Sequence, residues 1–242
     1  WPNGHFPLKW RDQGKFILDG TNPAYDWQGW IPQAQNPHVK NPARGFVSSA
    51  NQFSAGPDYP YYLNWSFGGY ERGHRINERL AAMRQVTPDS LRSLQNDVLG
   101  LNAQLMLPRL LALVREPAAG FAPLSPTSPE GKVLAEMRQW RYQYTADAIG
   151  PSVFNLWYNN LVKRLWDDDF GPTSTGLEMR YPARDRTNNL ILNEPTSPWI
   201  DDRRTPAVRE TLPDLAQHVS DWHAQPLDLH YGMTAGKALV QR

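Results

Sequence analysis

The sequence predicts a mainly α fold: several amphipathic helices packed together, an irregular Pro- and Trp-rich N-terminal arm, and one or two short strands. Three observations predict it. Apolar residues recur at three-and-four spacing from about Tyr70 onward. Two triplets, Thr87-Pro88-Asp89 and Ser128-Pro129-Glu130, open such stretches with a capping hydroxyl, a proline at the first helical position and a carboxylate in the first turn. Residues 1–70 lack the period and carry three Asn-Pro steps, at Asn22-Pro23, Asn36-Pro37 and Asn41-Pro42. Each proline pushes its predecessor out of the α region. The expected organisation is an arm over 1–70 and a helical domain over 71–242.

The arm holds Trp1, Trp10, Trp27, Trp30 and Trp65, half of the 10 tryptophans. Large rings on irregular backbone mark a segment that packs across something else and makes no core alone. One short strand is expected over 45–51. Its alternation puts Val47, Ser49 and Asn51 on one face and Phe46, Ser48 and Ala50 on the other. Ile76, Leu80 and Met83 mark a first helix. A second starts at Thr87-Pro88, with Leu91, Leu94, Val98, Leu101 and Leu105 as its core stripe. Pro108 should kink or break it, with Leu110 to Val114 continuing. Residues 117–129 read as a connector rich in Pro, Ser and Gly. A third helix opens at Ser128-Pro129 and carries Val133, Met137, Trp140 and Tyr144 on one face. Gly150-Pro151 precedes a fourth with Phe154, Trp157, Leu161 and Leu165. Residues 171–200 read as irregular, with one apolar stretch at Leu190-Ile191-Leu192. A fifth helix starts at Thr205-Pro206 or near Pro213, using Leu215, Val219 and Trp222, and the tail from Pro226 is ambiguous.

Composition excludes several classes. The 242 residues suffice to bury a core. With 10 Trp and 10 Tyr and a net charge of +1, the chain is neither disordered in composition nor basic enough for a nucleic-acid reader. There is no Cys, hence no disulfide, thiol nucleophile or thiolate zinc site. No apolar run approaches the ~20 residues of a membrane helix. The chain begins at Trp1 without Met or a signal segment, so a processed product or an excised piece is expected.

Common catalytic signatures are missing: no G-x-S-x-G elbow, P-loop, H-E-x-x-H or Gly-rich dinucleotide turn. The histidines His5, His38, His74, His218, His223 and His230 show no partner pattern. His218 and His223 are five apart, off the spacing that puts two ligands on one helical face, and read as solvated or capping residues. Asp167-Asp168-Asp169 opposes the macrodipole at a helix C-terminus, which a metal or a nearby Arg would relieve; a solvated loop start is the simpler reading. Asp201-Asp202-Arg203-Arg204 reads as a self-compensating turn. Asn64-Trp65-Ser66 matches the glycosylation triplet, a match cheap by chance. The rings of Trp27, Trp30, Tyr59, Tyr61 and Tyr62 suit either packing anchors or a sugar or peptide platform.

Five ordered pieces carry a resemblance. They are the stretch from Asp19-Gly20-Thr21 through Asp26-Trp27-Gln28-Gly29 to Pro32; Asn41-Pro42-x-x-Gly45-Phe46-Val47-x-x-Ala50-Asn51; Asp58-Tyr59-Pro60; Tyr70-Glu71-Arg72-Gly73-His74-Arg75-Ile76; and the helix from Thr87-Pro88 with Gln95-Asn96-Asp97. In this order and spacing they resemble part of the β chain of the penicillin acylase (penicillin amidase) family. Beyond about residue 115 the resemblance thins to helical character and Ser197-Pro198-Trp199-x-Asp201-Asp202.

That resemblance implies an N-terminal nucleophile hydrolase made as a zymogen, a precursor that cleaves itself to expose a Ser as first residue of the β chain. The Ser hydroxyl attacks an amide carbonyl with its own α-amino group as base. It implies that Asn51 supplies an oxyanion-hole donor and that Arg72 supports Asn51 and the substrate region. A carboxamide suits that task, because its NH2 donates without carrying charge. Trp1 has no nucleophilic atom, so the nucleophile and most of the core are expected upstream and this chain alone is expected to be inactive. The family's calcium takes an Asp ligand just after the Asp-Tyr-Pro step. Tyr61-Tyr62-Leu63 stands there, so no cofactor or metal ligand is assigned. The implied partners are the α chain, the N-terminal part of the β chain and a small N-acyl substrate, with no nucleic acid and no membrane. The implied location is periplasmic or secreted. Two other classes compete: a non-catalytic carbohydrate- or peptide-binding module using the aromatic arm, and a helical scaffold whose arm docks a partner chain.

Overall fold

In the computed structural model the described residues are 4–114, 123–170, 181–194, 196–199, 211–213 and 215–217. They are mainly helical, as expected, in two units over Trp1–Asn96 and Asp97–Arg242.

In the first unit, residues before 70 form turns and two short 3-10 segments, Pro23–Tyr25 and Gln33–Gln35. Their backbone groups are satisfied piecemeal. Leu8 N–H donates to Gly29 O at 2.8 Å and Ile31 N–H to Phe6 O at 2.8 Å, around an isolated bridge between Pro7 and Trp30. Buried Gln13 donates from Nε2 to Tyr25 O at 2.7 Å and accepts Trp10 N–H at 3.2 Å, doing with one side chain what a ladder does elsewhere. Two helices follow: α1, Tyr70–Ala82, and α2, Pro88–Gln95. Thr87 caps α2 reciprocally with Ser90: Thr87 Oγ1 accepts Ser90 N–H at 3.2 Å, and Ser90 Oγ accepts Thr87 N–H at 2.8 Å. Among the described residues this unit buries only Ile31 and Ala50 as apolar side chains, while Phe16, Trp27, Trp30 and Trp65 stay exposed. Its polar turns hold it together more than a core does.

The second unit is a helical core. It contains α3, Leu101–Leu113; α4, Pro129–Gln139; α5, Gly150–Phe170; and α6, Arg184–Asn193, with further helical residues at 212–213 and 215–217. Met106, Leu107 and Leu110 of α3, Leu134 and Met137 of α4, and Phe154, Trp157, Leu161 and Trp166 of α5 pack with Leu190 and Ile191 of α6 and with Leu212 and Leu215. Ser128 caps α4, accepting Gly131 N–H at 3.1 Å. The face expected on α5 is fully buried. Ring hydrogens inside this core find partners: Trp157 Nε1 donates to Thr211 Oγ1 and Trp166 Nε1 to Thr187 Oγ1, each at 3.1 Å. Burial raises the Tyr144 phenol above its ordinary pKa, against the opposing pull of Arg184 and Asn155.

The structure corrects five expectations. No strand forms over 45–51. Gln52 Oε1 takes the Ala50 N–H at 2.5 Å, and Asn51 adopts φ 65°, which ends extended backbone. The helix expected from Thr87 through Leu105 is two helices. Between them Gly100 N–H donates to Tyr142 O at 2.9 Å and Tyr144 N–H to Val98 O at 2.8 Å, a pairing that takes backbone groups from any continuing helix. A Cβ on Gly100 would sit 2.1 Å from the Tyr144 ring, so this crossing needs glycine. The break shifts the phase: Leu91, Val98 and Leu105 of the expected stripe are exposed, and Ala103, Met106, Leu107, Leu110 and Leu113 point inward instead. Pro108 lies inside α3, and the helix continues past it to Leu113 as expected. Tyr144 lies beyond the end of α4, and residues 184–193, read as irregular, form α6.

The expectations for 115–122, the start at Thr205-Pro206, the Asp201 to Arg204 turn, Val219, Trp222, His218, His223, His230 and the tail from Pro226 lie outside the described residues.

Candidate functional site

Asn51 sits at a sharp turn. Its φ of 65° is a left-handed conformation that asparagine tolerates better than most residues. Its carbonyl accepts Gly68 N–H at 2.7 Å, which ties the turn to the strip leading into α1. A Cβ at Gly68 would stand 2.9 Å from Asn51 Cβ and 3.2 Å from Asn51 O, so only glycine permits this approach. Gly68→Ala is expected to cost about 1–3 kcal/mol by overpacking, read as a lower urea midpoint by Trp fluorescence. An unchanged midpoint would show that the turn yields freely.

Arg72, in the first turn of α1, donates from Nη2 to Asn51 Oδ1. The guanidinium has only donors, so the carboxamide must present its oxygen to Arg72 and its NH2 away from it. No described residue accepts from that NH2, and Asn51 is exposed. A cation on the oxygen also draws electron density from the amide and makes its N–H groups better donors. The arrangement is therefore an uncharged, oriented, exposed donor with a positive charge behind it.

The same helix holds the segment before Asn51. Asn77 Oδ1 accepts Ser48 Oγ at 2.9 Å and Arg44 Nη1 at 3.0 Å, while Asn77 Nδ2 donates to Gly73 O at 2.7 Å. Arg44 also donates from Nε to Phe46 O at 2.9 Å and lies over the Phe46 ring at 4.8 Å. The resemblance pointed to Asn51 and Arg72, and nothing in the sequence pointed to Asn77. The only local signal is an Asn four residues after Gly73, which is no signal without the fold.

A family model described as penicillin amidase matches residues 1–237. The chain belongs to the penicillin amidase family. It is 22% identical over 227 residues to the acyl-homoserine lactone acylase QuiP of Pseudomonas fluorescens (strain Pf0-1), a match covering 90% of this chain and 28% of that protein. It is 32% identical over 107 residues to the penicillin acylase 2 proenzyme of Pseudomonas sp. (strain SE83), covering 44% of this chain and 14% of the proenzyme. Identity to penicillin G acylase of Escherichia coli is 26% over 173 residues, 67% of this chain and 19% of that enzyme. The chain thus spans from 14% to 28% of the length of these curated relatives.

After Asp58-Tyr59-Pro60 come Tyr61, whose hydroxyl donates to Gln35 Oε1 and whose ring meets Tyr59 edge-on at 5.7 Å, and Tyr62. Among the described residues no three His, Cys, Asp or Glu side chains gather at one point. The carboxylate of Asp19 is instead engaged locally: Thr21 donates its hydroxyl at 2.7 Å and its N–H at 2.9 Å and holds the Asp19 pKa below the ordinary value. Trp27 and Trp30 meet at an interplanar angle of 63°, so they share no flat face on which a sugar ring would lie. A cavity of about 240 Å³ in the first unit is lined by Phe6, Pro7, Lys9, Ser54, Leu63 and Phe67, with Asn64 at its wall. The Lys9 ammonium donates to Leu63 O there at 3.3 Å.

Proposed function

We propose that this chain is part of an amide-cleaving acylase in which Asn51 donates to the oxyanion of the tetrahedral intermediate and Arg72 holds Asn51 in place. The observation that carries the proposal is the Arg72 to Asn51 Oδ1 hydrogen bond, which orients the carboxamide NH2 away from Arg72 on an exposed residue. Family membership supplies the reaction class.

In this reading a Ser hydroxyl from the rest of the amidase attacks the acyl carbon of an N-acyl substrate and gives its proton to the serine's own α-amino group. The carbonyl oxygen gains the charge, and the Asn51 NH2 meets it. Donors fixed in advance stabilise that charge without reorganising as it forms. Collapse expels the amine, which takes up the proton, and leaves an acyl-enzyme. Water then releases the acid and restores the hydroxyl. Two relatives are named for acting on penicillins and another for acyl-homoserine lactones, so the substrate class is an N-acyl compound of either kind. By family resemblance the amidase is exported.

The first unit's meagre core and exposed rings fit a surface completed by the remaining amidase sequence. The test compares the 242-residue chain with the complete amidase on a chromogenic phenylacetyl anilide and on an acyl-homoserine lactone. Cleavage of at least one by the complete protein and none by the chain alone is expected. Hydrolysis by the purified chain would overturn the assignment of the nucleophile to the rest of the protein.

A further inference from the structure

We infer that Asn77 is a positioning residue for the oxyanion donor, acting through Ser48 and Arg44 on the segment that presents Asn51. The inference rests on the role proposed for Asn51.

An oxyanion donor needs its place fixed to about 0.5 Å. Segment 44–51 has no strand ladder to supply such rigidity. Besides the Gly68 N–H on Asn51 O, α1 holds it at two points. One is Arg72 on Asn51 itself. The other is Asn77, one helical turn beyond Gly73. Its Nδ2 bonds back to Gly73 O at 2.7 Å, which locks the side chain against its own helix and aims Oδ1 at the segment. Oδ1 then takes Ser48 Oγ at 2.9 Å and Arg44 Nη1 at 3.0 Å, so both of its lone pairs are engaged. Ser48 is three residues before Asn51. With Asn77 intact the segment cannot slide along α1, and the pair Arg72 and Asn51 meets at one fixed register. Asn77 touches no reacting atom in this arrangement; it acts through position alone.

The test uses the complete amidase, with kcat expressed per active site titrated by a serine-sulfonylating reagent. Asn77→Leu removes the acceptor at similar size and is expected to lower kcat about tenfold to hundredfold, with KM nearly unchanged, because a donor misplaced by about an ångström is missed chiefly in the transition state. Asn77→Asp keeps acceptor oxygens for Ser48 and Arg44 but loses the donor to Gly73 O, so it should restore only part of the rate. In an Asn51→Ala background, Asn77→Leu should cause no further loss, since its target is gone. Ser48→Ala should repeat the pattern at smaller size and decides the matter if Asn77→Leu does not fold. Equal losses in both backgrounds, or no loss with Asn51 present, would overturn the inference. If Asn51→Ala alone leaves kcat intact, the oxyanion role itself has failed. If Asn51→Ala is slow while Asn77→Leu is not, only the positioning role has failed.

Discussion

Asn51→Ala in the complete amidase is expected to lower kcat by about 10²–10³-fold, the usual loss for one oxyanion donor, with little change in KM. The separation of the two constants follows from where the charge appears. A ground-state amide oxygen gains little from the Asn51 NH2, whereas the tetrahedral oxyanion gains a full hydrogen bond. Stability should change little, because Asn51 is exposed and its backbone bond to Gly68 survives the substitution. Asn51→Asp should be at least as slow as Asn51→Ala. An ionised carboxylate only accepts, would pair with Arg72, and would repel the oxyanion. Steady-state kinetics on one acyl anilide, with thermal unfolding beside them, decide the matter. A variant that keeps its kcat would remove Asn51 from the reaction.

The largest effect on stability is expected in the second unit. Trp157→Ala should destabilise it by about 3–5 kcal/mol, the range for emptying a large buried aromatic site. Trp157 is 0% exposed, and its Nε1 donates to Thr211 Oγ1 at 3.1 Å. The substitution therefore removes apolar contact with α5's neighbours and one buried hydrogen bond together. Trp157→Phe keeps most of the volume and should cost less than the alanine variant. Urea unfolding of the chain, followed by far-ultraviolet circular dichroism, measures both. A loss under about 1 kcal/mol for alanine would mean that the core closes over the space with little residual cavity.

Where sequence and structure agree, the physics is local. Thr87 and Ser128 cap helices because a side-chain oxygen three residues before an orphan N–H needs only its own turn. The long face of α5 is legible because Phe154, Trp157, Leu161 and Leu165 are apolar and regularly spaced. α6 was hidden for the opposite reason. Two of its inward residues are polar, Thr187 and Asn188, and only the core shows that Thr187 accepts from Trp166 while Asn188 accepts from Tyr158 at 2.6 Å and donates to Asn102 at 2.8 Å. No hydrophobic period records such partners. The stripe through Leu91, Val98 and Leu105 misled because nothing local announces that Gly100 and Tyr142 to Tyr144 claim the backbone in between.

The sequence by itself determined the family, through ordered pieces between Asp19 and Asp97, and most of the helix starts, through caps and prolines that act within one turn. It also named Asn51 and Arg72. Only the tertiary structure shows the contacts themselves: Arg72 bonds Asn51 across 21 residues of chain, and Asn77, to which nothing in the sequence pointed, reaches Ser48 across 29. Hydrogen bonds between side chains so far apart depend on how α1 lies against an irregular segment. That placement comes from long-range packing and from close approach at Gly68, and neither leaves a period that a sequence can display.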